Sequence, residues 1–303
     1  MLEFIKENLT LVIVVGCCVV IILFVLLVFL FTRRKKIFTK SIDNELIKNA
    51  ENGDPEALNE LGLAYLNGEG TEVNKEKAFE CFKKATIQNL PKAFNNLGEC
   101  YLKGLGTVIN NPLAYEAFNK GSELGDSDSM LNLAKCYSKG IGVLKNYAKA
   151  FEWYKKAYEN KNDNAGMYLA SCYYVGEGIG INYEKAFDIY EKLANKGDLR
   201  ALNRVGSMFL AGEGIAKNPK RGFECFSKAA EQNDTEGMFN KAICLFNGLG
   251  CTKDLKMAFT LFKAAADRGN KKAMYNLYIC YLNGVGCKKD LDLANKWKEM
   301  SEK

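Results

Sequence analysis

Eleven cysteines, no histidine and a recurring pair of glycines are the features of this 303-residue chain that bear most directly on chemistry. Without histidine the commonest general base is missing, as are the usual Ser-His and Cys-His nucleophile pairs and every His-containing zinc site. Cys17 and Cys18 lie in an apolar run near the N-terminus, and the other nine cysteines fall into three recurring positions. Cys100, Cys136, Cys172, Cys244 and Cys280 share one, Cys81 and Cys225 a second, Cys251 and Cys287 a third. Equivalent positions of stacked helices sit about 8–10 Å apart, whereas a disulfide needs Cα atoms about 4.4–6.8 Å apart. The nine are therefore read as free, small core hydrophobes in a reducing compartment, and no metal, cofactor or catalytic residue is expected.

Other chemical signals have similarly plain readings. The Gly-x-Gly pairs resemble a fragment of a dinucleotide fingerprint, but they follow helices rather than strands and occur seven times, so they are turns between helices. Neither Gly-x4-Gly-Lys-Ser/Thr nor a Ser-x2-Lys nucleophile motif occurs. Lys145, Lys217, Lys253 and Lys289 occupy one loop position and read as a solvated edge. Lys241 stands where six equivalent positions carry Leu or Val, so its amine must reach water or meet an acid.

These positions recur because residues 54–303 are seven copies of one 36-residue unit with no insertion between them: 54–89, 90–125, 126–161, 162–197, 198–233, 234–269 and 270–303. Ala57, Ala93, Ser129, Ala165, Ala201, Gly237 and Ala273 mark a small residue three positions into each. A first helix is predicted from Leu61/Tyr65 and their echoes, and a second from Ala78, Phe79, Phe82 and Ala85 and theirs. Asn74, Asn110, Asn146, Asn182, Asn218, Asp254 and Asp290 are the expected N-caps of the second helices. Asp54, Asp126, Asn162, Asp198, Asp234 and Asn270 cap the first, with Leu90-Pro91 in the second unit. Gly53, ahead of the first cap, implies a preceding helix, and residues 41–53 are read as a half-unit capping the array. A fixed period of this length specifies a solenoid, in which each unit buries its apolar face against its neighbours. The fold class expected is all-α: an α/α superhelical solenoid of seven helix-turn-helix repeats preceded by one transmembrane helix.

The membrane segment is Leu9–Phe31, 23 residues without a charge, long enough for a hydrocarbon core of about 30 Å. A short tail, residues 1–8, precedes it. The segment 32–40 after it holds Arg33, Arg34, Lys35 and Lys36, which mark the cytosolic side. The expected topology is single-pass, N-terminus outside and solenoid in the cytosol. A lipobox-like Val14-Val15-Gly16-Cys17 leaves a bacterial lipoprotein anchored through Cys17 as the alternative. The formal net charge of +6 includes +4 from residues 1–40, leaving +2 on the rest, a poor match to a phosphate backbone; nucleic acid is not an expected partner.

The pattern Ala57, Leu61, Gly62, Tyr65, Gly68, Gly70, Lys77, Ala78, Phe82, Lys83, Lys84, Ala85 resembles the Sel-one-like repeat family, relatives of tetratricopeptide repeats, and the likeness covers all seven units. The resemblance implies a non-enzymatic scaffold or adaptor, membrane-tethered here, that holds a protein or peptide in the concave face of the solenoid. The alternative it implies is an envelope-associated hydrolase akin to a cysteine-rich, β-lactam-binding branch, whose paired cysteines this chain lacks. Tetratricopeptide geometry places the groove two, six and nine residues after each small marker. In units six and seven these positions are Phe239, Ile243, Phe246 and Tyr275, Ile279, Leu282, an apolar stripe expected to receive the partner. Asn59, Asn95 and Asn203 are expected to bond the backbone of a bound peptide.

Overall fold

The structure is a computed structural model that describes residues 42–302. Fifteen α-helices fill them, and no strand occurs among the described residues. Helix α1 (Asn44–Glu51) is followed by pairs α2 (Pro55–Asn67) and α3 (Lys75–Thr86), α4 (Pro91–Lys103) and α5 (Asn111–Glu123), α6 (Ser127–Lys139) and α7 (Tyr147–Glu159). The pairs continue with α8 (Asp163–Val175) and α9 (Tyr183–Asn195), α10 (Leu199–Ala211) and α11 (Pro219–Glu231), α12 (Thr235–Asn247) and α13 (Leu255–Asp267), α14 (Lys271–Asn283) and α15 (Leu291–Glu302). The chain divides between Asp126 and Ser127 into two compact bodies: the first holds α1 and repeats one and two, the second repeats three to seven. The expected tail 1–8, spanning segment 9–31, basic segment 32–40 and Cys17 lie outside the described residues. Among the described residues no helix is long and apolar enough to cross a membrane.

The helix limits follow the predicted caps closely. Asn74, Asn110, Asn146, Asn182, Asn218 and Asp254 each accept a backbone N–H through the side chain at the start of a second helix. Asp54, Asn162, Asp198, Asp234 and Asn270 do so for first helices, while Leu90 makes no such bond and relies on Pro91. Helix α1 is the expected capping element, itself capped by Asp43. One helix end departs from the sequence rule. Gly53, Asn89, Gly125, Gly197, Asn233 and Gly269 adopt the left-handed conformation that ends a second helix, but in repeat three the residue is Lys161, with φ of 64°. Left-handed backbone costs an ordinary L-residue about 1–2 kcal/mol. Lys161→Gly is therefore expected to raise stability by roughly 1 kcal/mol, measured as the shift of the denaturation midpoint at unchanged slope.

Packing repeats with the same period. Phe82, Phe118, Phe226 and Phe262 occupy one second-helix position and are fully enclosed, each stabilising by about 1.5–3 kcal/mol. Glycines on the facing first helix make room: a Cβ built on Gly62 would stand 2.6 Å from the Phe82 ring, and one on Gly206 2.7 Å from Phe226. A second aromatic row ties one repeat to the next. Phe79, Phe151, Phe187 and Phe259 present ring edges to Tyr101, Tyr173, Phe209 and Tyr281 of the following unit, with centroids 5.2–5.4 Å apart. The same first-helix row takes a cation from its own repeat's second helix: Lys77 over Tyr65, Lys149 over Tyr137, Lys185 over Tyr173 and Arg221 over Phe209. Such contacts add about 0.5–1 kcal/mol each at exposed sites.

Candidate partner-binding face

The first helices of repeats three to seven carry the side chains that carry the functional reading, and their register differs by one residue from the tetratricopeptide frame. Two residues after the small marker, the side chain turns under the next repeat. Asn59 is buried and its amide oxygen accepts from Asn96 at 2.8 Å. Asn203 is buried too, donating to the Leu199 carbonyl at 2.9 Å and to the cap carboxylate of Asp234 at 2.8 Å. Phe239, 8% exposed, packs 6.0 Å from the Phe262 ring, with the Lys272 amine of the next repeat 6.0 Å above it. Tyr275 occupies the same position in repeat seven and is 53% exposed. Asn95 is half-buried in the first body; Ile243, Phe246, Ile279 and Leu282 are half-buried in the second.

One residue later, three after the marker, the side chains face outward, and sequence reasoning missed this row. It includes Tyr168 and Arg204, both exposed, with Asn132, Asn240 and Asn276 half-buried. Around them lies a connected set of hydroxyls and cations. Tyr168 stacks on Tyr154 (5.0 Å, 7° between planes), and the Lys135 amine lies 5.5 Å from the Tyr168 centroid. Lys135 also donates to Asn132 at 3.2 Å. The Tyr154 hydroxyl shares a 3.2 Å hydrogen bond with Ser138. Tyr174 donates to Glu213 at 2.7 Å. Burial pushes the Tyr154 phenol up to about 12, and the bond to Glu213 does the same for Tyr174, so both remain protonated. The pattern that reveals this strip is the run of Tyr, Ser, Lys and Arg at positions three, six and nine after the marker in repeats three to five.

All nine described cysteines are free, and no group of three or more potential metal ligands occurs among the described residues. Burial raises the thiols of Cys100, Cys136, Cys172 and Cys280 to about 11 and that of Cys244 to about 12, far from the thiolate form that reacts or binds metal. The consequence is alkaline sensitivity. Between pH 9.0 and about 12 the unfolded Cys244 thiol is ionised while the folded one keeps its proton, so stability falls as pH rises through that window. Each buried thiol is expected to remove on the order of 1–2 kcal/mol by pH 11. Cys244→Ala should flatten the fall of the denaturation midpoint between pH 8 and 11 relative to wild type; parallel curves would show that this thiol does not contribute. Lys241 is half-buried and its amine reaches over Phe223, 5.8 Å from the ring centroid, and joins no ion pair among the described residues. Lys145, Lys217, Lys253 and Lys289 are exposed at the loop position that Val73, Ile109 and Ile181 fill elsewhere.

Charge divides sharply between the two bodies. Residues 42–126 hold 8 basic and 14 acidic groups, a net of −6, whereas residues 127–302 hold 27 basic and 20 acidic groups, a net of +7. The near-neutral sum read from the whole solenoid hides this.

The repeat pattern and the pairs of stacked helices have clear relatives. The Sel1 repeat matches residues 55–90, 91–126, 127–162, 165–198, 199–234, 235–270 and 271–300. A Sel1 repeat protein from Oxalobacter formigenes is 30% identical, with a TM-score of 0.75 over 81% of this chain and 97% of that one. The protein c5321, a protective antigen present in uropathogenic Escherichia coli strains and displaying an SLR fold, is 28% identical, with a TM-score of 0.75. That match covers 85% of this chain but 55% of the antigen, so the chain spans about half of that relative's length. None of the curated proteins matches the chain. Seven consecutive matches leave one assignment: the chain belongs to the Sel1 repeat family, α-solenoids typical of protein–protein interaction scaffolds.

Proposed function

We propose that this protein is a membrane-tethered scaffold that holds a protein or peptide partner on the outward face of the first helices in repeats three to seven. The observation that carries the reading is a face that combines exposed tyrosines with apolar and polar side chains the fold itself does not enclose. Tyr168 is 42% and Tyr275 53% exposed, and Ile243, Phe246, Ile279 and Leu282 lie between and beside them, half-buried. Exposed aromatic anchors beside apolar side chains are characteristic of contact surfaces. Asn59 and Asn203 serve this role less well, because their amides are already bonded within the fold.

Tethering rests on the sequence: 23 uncharged residues from Leu9 to Phe31, then the basic cluster Arg33–Lys36, which resists translocation and keeps the solenoid in the cytosol. The test is photo-crosslinking from intact membranes with a photoreactive residue at position 168 or 275, compared with position 155 on the opposite helix layer. Partner capture from 168 and 275 but not from 155 is expected. Equal capture from all three, or none from the first-helix positions, overturns the assignment of the face. Protease digestion of the solenoid from outside sealed cells, or a mature N-terminus at a lipidated Cys17, overturns the topology.

A further inference from the structure

Resting on that reading, we infer that the face is divided into two zones and selects an extended peptide carrying acidic residues at one end and an apolar anchor at the other. The division is visible residue by residue. In repeats three to seven none of the positions three, six, nine or ten residues after the marker is acidic, while three of them, Lys135, Lys139 and Arg204, are cationic. All three cations belong to repeats three and five, and the positions between them hold Tyr168, Ser171 and Tyr174. In repeats six and seven the same rows hold only Asn and apolar side chains, Ile243, Phe246, Ile279 and Leu282 among them.

The first zone is built to meet negative charge. Arg204 is exposed and forms no ion pair among the described residues; its charge acts on the Tyr174 and Tyr190 phenols beside it. Lys135 is held over the Tyr168 ring. Of the hydroxyls around these cations, the Tyr154 phenol is bonded to Ser138 and the Tyr174 phenol donates to the Glu213 carboxylate, so the recognising group is the Arg204 guanidinium, which forks onto a carboxylate through two parallel N–H bonds. The body that carries the face has a net charge of +7, so the field beyond these contacts also favours an acidic partner. The second zone carries no charge at these positions, and with the exposed Tyr275 ring beside Ile279 it fits an aliphatic or aromatic anchor. Helix layers stack about 8–10 Å apart, so one to two repeats separate the zones, about 3–6 residues of extended peptide at roughly 3.3 Å each.

The test is selection of a displayed random 12-residue peptide library on the full-length chain in lipid nanodiscs. Enriched peptides are expected to carry two or more Asp or Glu residues and, about 3–6 residues away on a constant side, a Leu, Ile, Phe or Trp. For a fluorescein-labelled enriched peptide, Arg204→Glu should weaken binding tenfold or more and steepen no unfolding curve, since Arg204 is exposed. The Asn/Gln version of that peptide should bind weakly to both proteins. Enrichment of neutral or basic peptides that compete for Tyr275 and Ile279 overturns the two-zone inference and leaves the scaffold face standing. Enriched peptides indifferent to Arg204→Glu, Lys135→Glu and Ile279→Ser alike overturn the scaffold face itself.

Discussion

Gly214→Ala is expected to cost about 3–5 kcal/mol, far more than a glycine-to-alanine change in an ordinary loop. Gly214 is the second glycine of repeat five, with φ of 71°, so any side chain there meets the left-handed penalty of about 1–2 kcal/mol. The larger part comes from the repeat before it. A Cβ on Gly214 would overlap the carbonyl oxygen and carbon of Tyr183, the first residue of α9, and stand 2.8 Å from the Glu184 nitrogen. These are backbone atoms of a helix start pinned by the Asn182 cap, so they cannot rotate aside; the two repeats must separate, adding roughly the 1–3 kcal/mol of an overpacked core. Gly106, Gly178, Gly250 and Gly286 meet the first residue of the preceding second helix in the same manner. Gly269→Ala is the control: φ is 89°, but nothing lies within 4 Å, so only the conformational penalty of about 1–2 kcal/mol applies. In a solenoid, stability is a sum of repeat and nearest-neighbour terms, so Gly214→Ala should also split or broaden the denaturation curve as repeats four and five uncouple. Equal losses for the two variants would show that the close approach between repeats carries no energy.

That close approach marks where sequence reasoning ended. The period, the caps and the small-against-aromatic rule are local, each readable within one 36-residue unit, and they placed all fifteen helices, including α1. Lys161 escaped because tertiary context imposes a left-handed residue where the local rule offers Gly or Asn. The second glycine was legible as a turn but not as a contact, because its reason lies in the backbone of a different repeat. The burial of Asn59, Asn203 and Phe239 was not legible for a related cause. A first helix shows one face to its partner helix and another to the next repeat, and two residues after the marker belongs to the latter, as the Asn59–Asn96 bond and the Lys272–Phe239 contact show. Among the described repeats that position is exposed only in the seventh, at Tyr275. The opposed charges of the two bodies were present in the sequence throughout, yet invisible in a sum taken over both.

Phe239→Ser and Tyr275→Ser, equivalent positions in adjacent repeats, should therefore diverge. Phe239 sits in the cluster formed with Met238, Phe262, Ala266 and Met274, and removing its ring leaves a cavity lined by that cluster as well as a buried hydroxyl in search of a partner. A loss of about 3–5 kcal/mol is expected, visible as a lowered denaturation midpoint. Tyr275 touches Tyr278, with ring centroids 5.7 Å apart, and otherwise faces water, so its loss should change stability by about 0.5 kcal/mol or less. Binding should show the opposite contrast once stability is accounted for. Tyr275→Ser should weaken capture of an apolar-anchored peptide tenfold while the fold is intact. Phe239→Ser, measured at a temperature where the protein remains folded, should weaken it only as far as repeats six and seven loosen. A stable Phe239→Ser variant that has lost its partner would return Phe239 to the binding face and put the covering role of Lys272 in error.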